Sequence, residues 1–169
     1  GFVEGEVILL SGAPGAGKST LTLRIADMLA QTGMSILYTS GEESEQQIGL
    51  RASRMGVESE KIRVVSETNL ETVLGHIEDE SPDVLIIDSL QTIASSEISG
   101  SVGSTQQSKE AAHTLTRTAK SKNIITILIS QVVKSGDFSG SESIQHIVDA
   151  TIMLESSPDT PLKFLRATK

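Results

Sequence analysis

Gly12-Ala13-Pro14-Gly15-Ala16-Gly17-Lys18-Ser19-Thr20 follows directly on the apolar run Val7-Ile8-Leu9-Leu10 and leads into Leu21-Thr22-Leu23-Arg24-Ile25-Ala26-Asp27-Met28-Leu29. The three stretches predict a strand, a glycine loop and a helix start. The spacing G-x-x-x-x-G-K-[ST] turns successive backbone N–H groups toward a di- or triphosphate, with Lys18 reaching the terminal phosphates and Ser19 left for Mg²⁺. Gly12 through Thr20 are therefore the expected phosphate-binding residues. Glycine suits such a loop because it tolerates positive φ and lets the backbone come close to a ligand. The apolar spacing after Thr20 is helical, so the positive end of a helix dipole faces the same phosphates.

Outward from this loop, short β-branched runs alternate with helical patterns. Ile36-Leu37-Tyr38-Thr39, Ile62-Arg63-Val64-Val65, Val84-Leu85-Ile86-Ile87 and Ile124-Ile125-Thr126-Ile127-Leu128-Ile129 each have strand length and are separated by segments long enough for crossover helices. Runs apolar on both faces predict a parallel sheet covered on both sides. Thr68 with Glu71 forms a capping-box signal before Leu70, Val73, Leu74 and Ile77, and Ala111, Leu115 and Ala119 share one face of a later helix. After Asp149 the pattern changes to two strands, Ala150–Glu155 and Leu162–Arg166, around Ser156-Ser157-Pro158-Asp159-Thr160-Pro161, which predicts a terminal antiparallel hairpin. The expected class is α/β, a largely parallel doubly wound sheet with that hairpin at its end.

The 169 residues lie near the common domain size, and 37% apolar content argues for a folded globule. The absence of Cys excludes disulfides and suits a reducing cytoplasm. No segment approaches the roughly 20 apolar residues of a membrane span. Gly1 through Glu6 lack the basic and apolar regions of a signal peptide, so a soluble cytoplasmic protein is expected. The net charge of −8 opposes a broadly basic nucleic-acid surface, and Phe2, Tyr38, Phe138 and Phe164 are too few for a base-stacking platform. Two small-residue stretches, Ala94 to Ser104 and Lys134 to Ser141, follow the ends of predicted strands. They read either as solvated linkers or as loops that engage a substrate.

Three further elements carry chemistry. Asp83-Val84-Leu85-Ile86-Ile87-Asp88 is an apolar strand ending in a carboxylate, and beside a phosphate loop Asp88 is the expected partner of the Mg²⁺ shell with Ser19. Asp83 reads as a solvent-facing turn residue. Thr39-Ser40-Gly41-Glu42-Glu43-Ser44 adjoins the end of the second strand, so Glu42 is the first choice for the base that orients water and Glu43 the second. Both acids equally suit the N-terminus of a helix beginning near Ser44. Gln131, ending the fifth strand, is placed to bond a γ-phosphate or its attacking water, or to be a buried amide satisfied by backbone. Arg51 and Arg54 read as cover for a helix face, paired with nearby acids. His76, His113 and His146 have no metal-ligand spacing.

Together, Ile36 to Ser44, Arg51-Ala52-Ser53-Arg54-Met55-Gly56, Pro82 through Thr92 and Ile144 through Asp149 occur with the phosphate loop in an order that resembles the ATPase core of the bacterial RadA (Sms) family, within the RecA superfamily. The Ser-Gly-Glu-Glu-Ser and Ile-Asp-Ser-Leu-Gln-Thr segments are more specific than the phosphate loop. The resemblance implies a RecA-like fold over residues 1–169, ATP as the nucleotide with Mg²⁺, hydrolysis in a homo-oligomeric, hexameric ring, and work with single-stranded DNA and recombination proteins in branch migration. Family members usually add a four-cysteine zinc module and a Lon-protease-like domain, which this chain lacks, so an excised core with weak DNA binding is expected. The family's Lys-Asn-Arg-Phe-Gly motif would begin at Lys169, and Arg166 and Lys169 are the cations that could reach a neighbouring subunit. Where the family commonly has Gly-His-Val-Thr-Lys this chain has Ser130-Gln131-Val132-Val133-Lys134, closer to RecA itself and to replicative helicases. Other RecA-superfamily motors, resembling KaiC-like or replicative-helicase ATPases, and a slow nucleotide-gated binding module would use the same residues.

Overall fold

A computed structural model describes residues 1–131, 143–157 and 162–169. The elements run β1 (Val7–Gly12), α1 (Lys18–Gln31), β2 (Ile36–Ser40), α2 (Glu45–Arg54), β3 (Ile62–Ser66), α3 (Leu70–Glu80), β4 (Val84–Asp88), a short 3₁₀ turn (Leu90–Thr92), α4 (Thr105–Lys122), β5 (Ile125–Gln131), β6 (Ala150–Ser156) and β7 (Lys163–Ala167). One seven-stranded sheet has the order β3-β2-β4-β5-β1-β6-β7. Every neighbouring pair is parallel except β6 with β7, which is antiparallel. The expected RecA-like α/β class with its terminal hairpin is the one observed. The Pro158–Pro161 turn lies outside the described residues, as does the Lys134–Ser141 stretch.

Alternation along each strand explains the two layers of core. On β2, Leu37 points to the face where α3 and α4 pack Val73, Ile77, Ala111, Leu115 and Ala119, while Ile36 and Tyr38 point to the face covered by α1 and α2 through Leu23, Ala26 and Ile48. Side chains two apart on a strand share a face, so both faces must be apolar when helices cover both. β3 departs from that expectation: Ile62 and Val64 are only partly buried because the strand is an outer one. Gly12 is required where β1 meets β6, since a Cβ there would stand 2.5 Å from the Leu154 carbonyl oxygen.

Helix starts decide what the sheet edge can do. α2 begins at Ser44 with a full capping box to Gln47, α3 at Asn69 and α4 at Ser104, each side chain accepting from a first-turn N–H. The expected Thr68–Glu71 box does not form. Asn69 caps α3 instead, and Glu71 accepts from the Ser95 hydroxyl at 2.5 Å and the Ser96 N–H at 3.3 Å. That contact holds the start of the Ala94–Ser104 stretch. Buried Gln107 holds the rest, accepting from Ser95 N–H and donating to the carbonyls of Ser95, Ile98 and Gly100. The stretch is a pinned loop rather than a solvated linker.

Candidate functional site

The residues singled out in the sequence meet at the carboxyl ends of β1, β2, β4 and β5, the edge where open α/β sheets bind ligands. α1 differs from the other three helices. It begins at Gly17, in a left-handed conformation at φ 100°, with no side chain capping its first turn. Its leading N–H groups are left for an anion. Ahead of it, Gly12 to Gly17 fold back through an Ala16 N–H bond to the Ala13 carbonyl at 3.1 Å.

Lys18 is buried, and its ammonium donates to the Gly12 carbonyl at 2.8 Å and the Ala13 carbonyl at 3.0 Å. Burial pulls its pKa below the ordinary lysine value, against the opposing attraction of Asp88 and Glu42. The Lys18 charge therefore faces the two carboxylates the sequence assigned to chemistry. A cleft of about 360 Å³ is lined by Pro14, Gly15, Gly17, Lys18, Ser19 and Thr20 from the loop and by Glu42, Arg51, Asp88, Ile129 and Gln131 from the facing strands and α2. Gly12, Ala13 and Ala16 lie behind it, along a second hollow against β6.

Glu42 is fixed from two sides. Its Oε1 accepts from the Ser89 hydroxyl at 2.5 Å and from the Gln131 amide at 2.8 Å, while Ser40 Oγ accepts from the N–H groups of Glu42 and Glu43. Gly41 allows this turn because a Cβ there would collide with Thr92. Glu43 turns aside into an ion pair with Arg51. The pairing of Arg51 with an acid is as expected, but the guanidinium also lines the cleft, which helical spacing alone did not reveal.

Asp88 is buried, and Tyr38 donates its phenolic proton to Asp88 Oδ2 at 2.6 Å. The β2–β4 register pairs Tyr38 with Ile86 and Ser40 with Asp88, so Tyr38 and Asp88 lie diagonally on one face. Thr22 Oγ1, which bonds the Lys18 and Ser19 carbonyls, stands 3.4 Å from the same phenol. Asp83, on the opposite sheet edge, is an exposed residue that accepts from the Ser35 N–H and hydroxyl. Among the described residues no group of three or more His, Asp or Glu side chains could hold a metal by itself.

Of the hairpin cations, Arg166 pairs with Glu155, and Lys169 is anchored rather than frayed, donating to the Gln145 and Val148 carbonyls. Sequence reasoning missed Lys163. Its ammonium reaches across 147 positions to donate to the Ala16 carbonyl at 2.7 Å.

A sheet of this order with a phosphate loop after β1 and an acid-tipped β4 defines a P-loop ATPase domain, and a model of the AAA domain family matches residues 1–137. The chain belongs to that family. Within it the chain is a RadA-type ATPase core: it is 44% identical to the DNA repair protein RadA of Aquifex aeolicus over 92% of its length and 35% of the relative's. To the RadA proteins of Streptococcus pneumoniae and Haemophilus influenzae it is 43% and 38% identical over its whole length, covering 40% and 37% of theirs. The chain thus spans well under half of the relatives it matches. Among the described residues no helix is long and apolar enough to cross a membrane.

Proposed function

We propose that this chain is the Mg²⁺-dependent ATP-hydrolysing core of a cytoplasmic DNA recombination and repair protein. In a hexameric ring of copies, working with other recombination proteins, it couples turnover to single-stranded DNA and branch migration. The observation that supports this most is the convergence of Lys18, Glu42 and Asp88 on one cleft, with Gln131 bonding Glu42 from the end of β5. The relatives are DNA repair proteins by name.

Lys18 exchanges its two carbonyl partners for β- and γ-phosphate oxygens, and the uncapped first turn of α1 holds the phosphates between them. Glu42, immobilised by Ser89 and Gln131, takes the proton of the attacking water. Ser19 and Asp88 present a hydroxyl and a carboxylate to the same cleft, the oxygen donors Mg²⁺ prefers, and they fit an ion that shares its shell with phosphate oxygens and water. Held by Ser19 and Asp88, Mg²⁺ would supply charge neutralisation for the transferring phosphoryl group. Gln131 carries the state of Glu42 to the segment that follows β5.

The test is ATP turnover with and without single-stranded DNA at rising salt, on this core and on a version extended through the Lys-Asn-Arg-Phe-Gly motif. The proposal expects DNA to raise turnover in the extended version, with an effect that falls steeply as salt rises. DNA-independent hydrolysis in both would point to the nucleotide-gated binding module.

A further inference from the structure

The geometry points to Lys163 as a nucleotide-binding cation acting within its own protomer, one that contacts the α-phosphate. The inference deepens the proposed function and rests on its nucleotide site. Lys163 opens β7, a strand exposed along its length, and its ammonium is carried back over the phosphate loop to the Ala16 carbonyl at 2.7 Å. It lies against the last residue of that loop, since a Cβ on Gly17 would stand 2.5 Å from Lys163 Nζ. This is where α1 starts without a side-chain cap.

Two hollows meet there. The phosphate cleft of about 360 Å³ and a more apolar pocket of about 440 Å³, walled by Leu21, Met55, Leu154 and Leu165, share Gly17 and Thr20, and Lys163 lines the second. A molecule whose polyanionic end fills the first hollow and whose less polar end lies in the second must pass the Lys163 ammonium. Lys18 serves the β- and γ-phosphates from within the loop. The phosphate left for a cation beyond Gly17 is the one nearest the ribose. Of the other cations, Arg166 pairs with Glu155, Lys169 is held by the Gln145 and Val148 carbonyls, and Arg24, which also lines the second pocket, pairs with Asp27; among the described residues Lys163 is the one from outside the phosphate loop held against it, by a neutral carbonyl and no carboxylate. An ammonium gains more from a phosphate oxygen than from a neutral acceptor.

The alternative is that Lys163 only staples β7 to the loop. Lys163→Gln removes the charge and keeps an N–H donor on a side chain one atom shorter, and the salt dependence of binding separates the two, because loss of a staple leaves that dependence unchanged while loss of a phosphate contact makes it shallower. Equilibrium binding of ATP and of ADP is measured by calorimetry, at low and moderate salt, for the wild type, K163Q, K163R and K18A, with thermal melting as a folding check. The α-phosphate is common to both nucleotides, so K163Q is expected to weaken ATP and ADP by the same factor, about tenfold, with a shallower salt dependence. K163R retains binding, and K18A weakens ATP more than ADP. Wild-type affinity in a folded K163Q, beside a loss in K18A, overturns the assignment and leaves the staple. A loss confined to ATP overturns it too, placing the ammonium at the γ-phosphate. If K18A binds as the wild type does, the nucleotide site itself is wrong, which is a separate failure.

Discussion

Tyr38 is the chain's single tyrosine, and no tryptophan accompanies it, so its ultraviolet signal reports one buried phenol bonded to Asp88 at 2.6 Å. Burial, then the Asp88 charge and hydrogen bond, raise its pKa well above the ordinary 10.0. The folded protein keeps the phenolic proton that the unfolded chain releases near 10, so this contribution is fully present below that value and is lost as pH rises beyond it. Native phenolate absorbance should therefore appear only where alkaline unfolding begins; reversible titration of the native protein near the ordinary value would refute the burial argument. Tyr38→Phe removes the donor from a buried carboxylate and should cost about 1–3 kcal/mol in urea unfolding. The paired acids give a second prediction at this scale. Glu42→Gln should leave ATP binding intact while hydrolysis falls roughly 10²–10⁴-fold, the loss expected when a base is removed. Glu43→Gln releases Arg51 at the rim of the cleft, so it should change ATP affinity more than turnover. Calorimetry beside single-turnover hydrolysis measures both, and the opposite ranking would move the base to Glu43.

Beyond its start, which Glu71 holds, the loop after β4 is held by one side chain of α4. Gln107 is 2% exposed and makes four hydrogen bonds to Ser95, Ile98 and Gly100. Gln107→Ala leaves the Ser95 N–H and three carbonyls to find water, and a loss of about 1–3 kcal/mol is expected with new proteolytic cleavage between Ala94 and Ser104. An unchanged digestion pattern would mean that Glu71 holds the loop alone. Such cross-element contacts are where sequence reading stopped. The phosphate loop, the strand runs and the hairpin are local patterns, written by residue spacing, and the structure reproduces them within a residue or two. Helix caps are nearly local: Asn69 displaced Thr68 because Glu71, the acid a capping box needs, is drawn to Ser95 and Ser96 by the loop beyond β4. Tyr38 on Asp88, Arg51 in the cleft and Lys163 on Ala16 depend on strand order and register. Those are properties of the whole sheet, and no spacing within one segment encodes them.

At the scale of the molecule, charge and the hairpin decide how copies meet. The chain carries −8, which repels DNA and a second copy alike. β7 is exposed along its length, with Phe164 and Leu165 at 50% and 57%, so the sheet ends in an unpaired edge. The cations that could reach across an interface are engaged within the protomer, Arg166 by Glu155 and Lys169 by the Gln145 and Val148 carbonyls. A cation supplied in trans stabilises transition-state charge by about 10³–10⁵ in rate in other P-loop enzymes. With both hairpin cations held within the protomer, this core should sediment as a monomer, hydrolyse ATP slowly and bind single-stranded DNA too weakly to detect at physiological salt. Sedimentation velocity with and without a nonhydrolysable ATP analogue, beside steady-state hydrolysis and DNA binding at two salt concentrations, measures all three. Self-association driven by the β7 edge alone would be independent of nucleotide and would strengthen as salt screens the repulsion between copies. A nucleotide-dependent hexamer with brisk DNA-stimulated turnover would show instead that Arg166 or Lys169 leaves its partner to act on the neighbouring site.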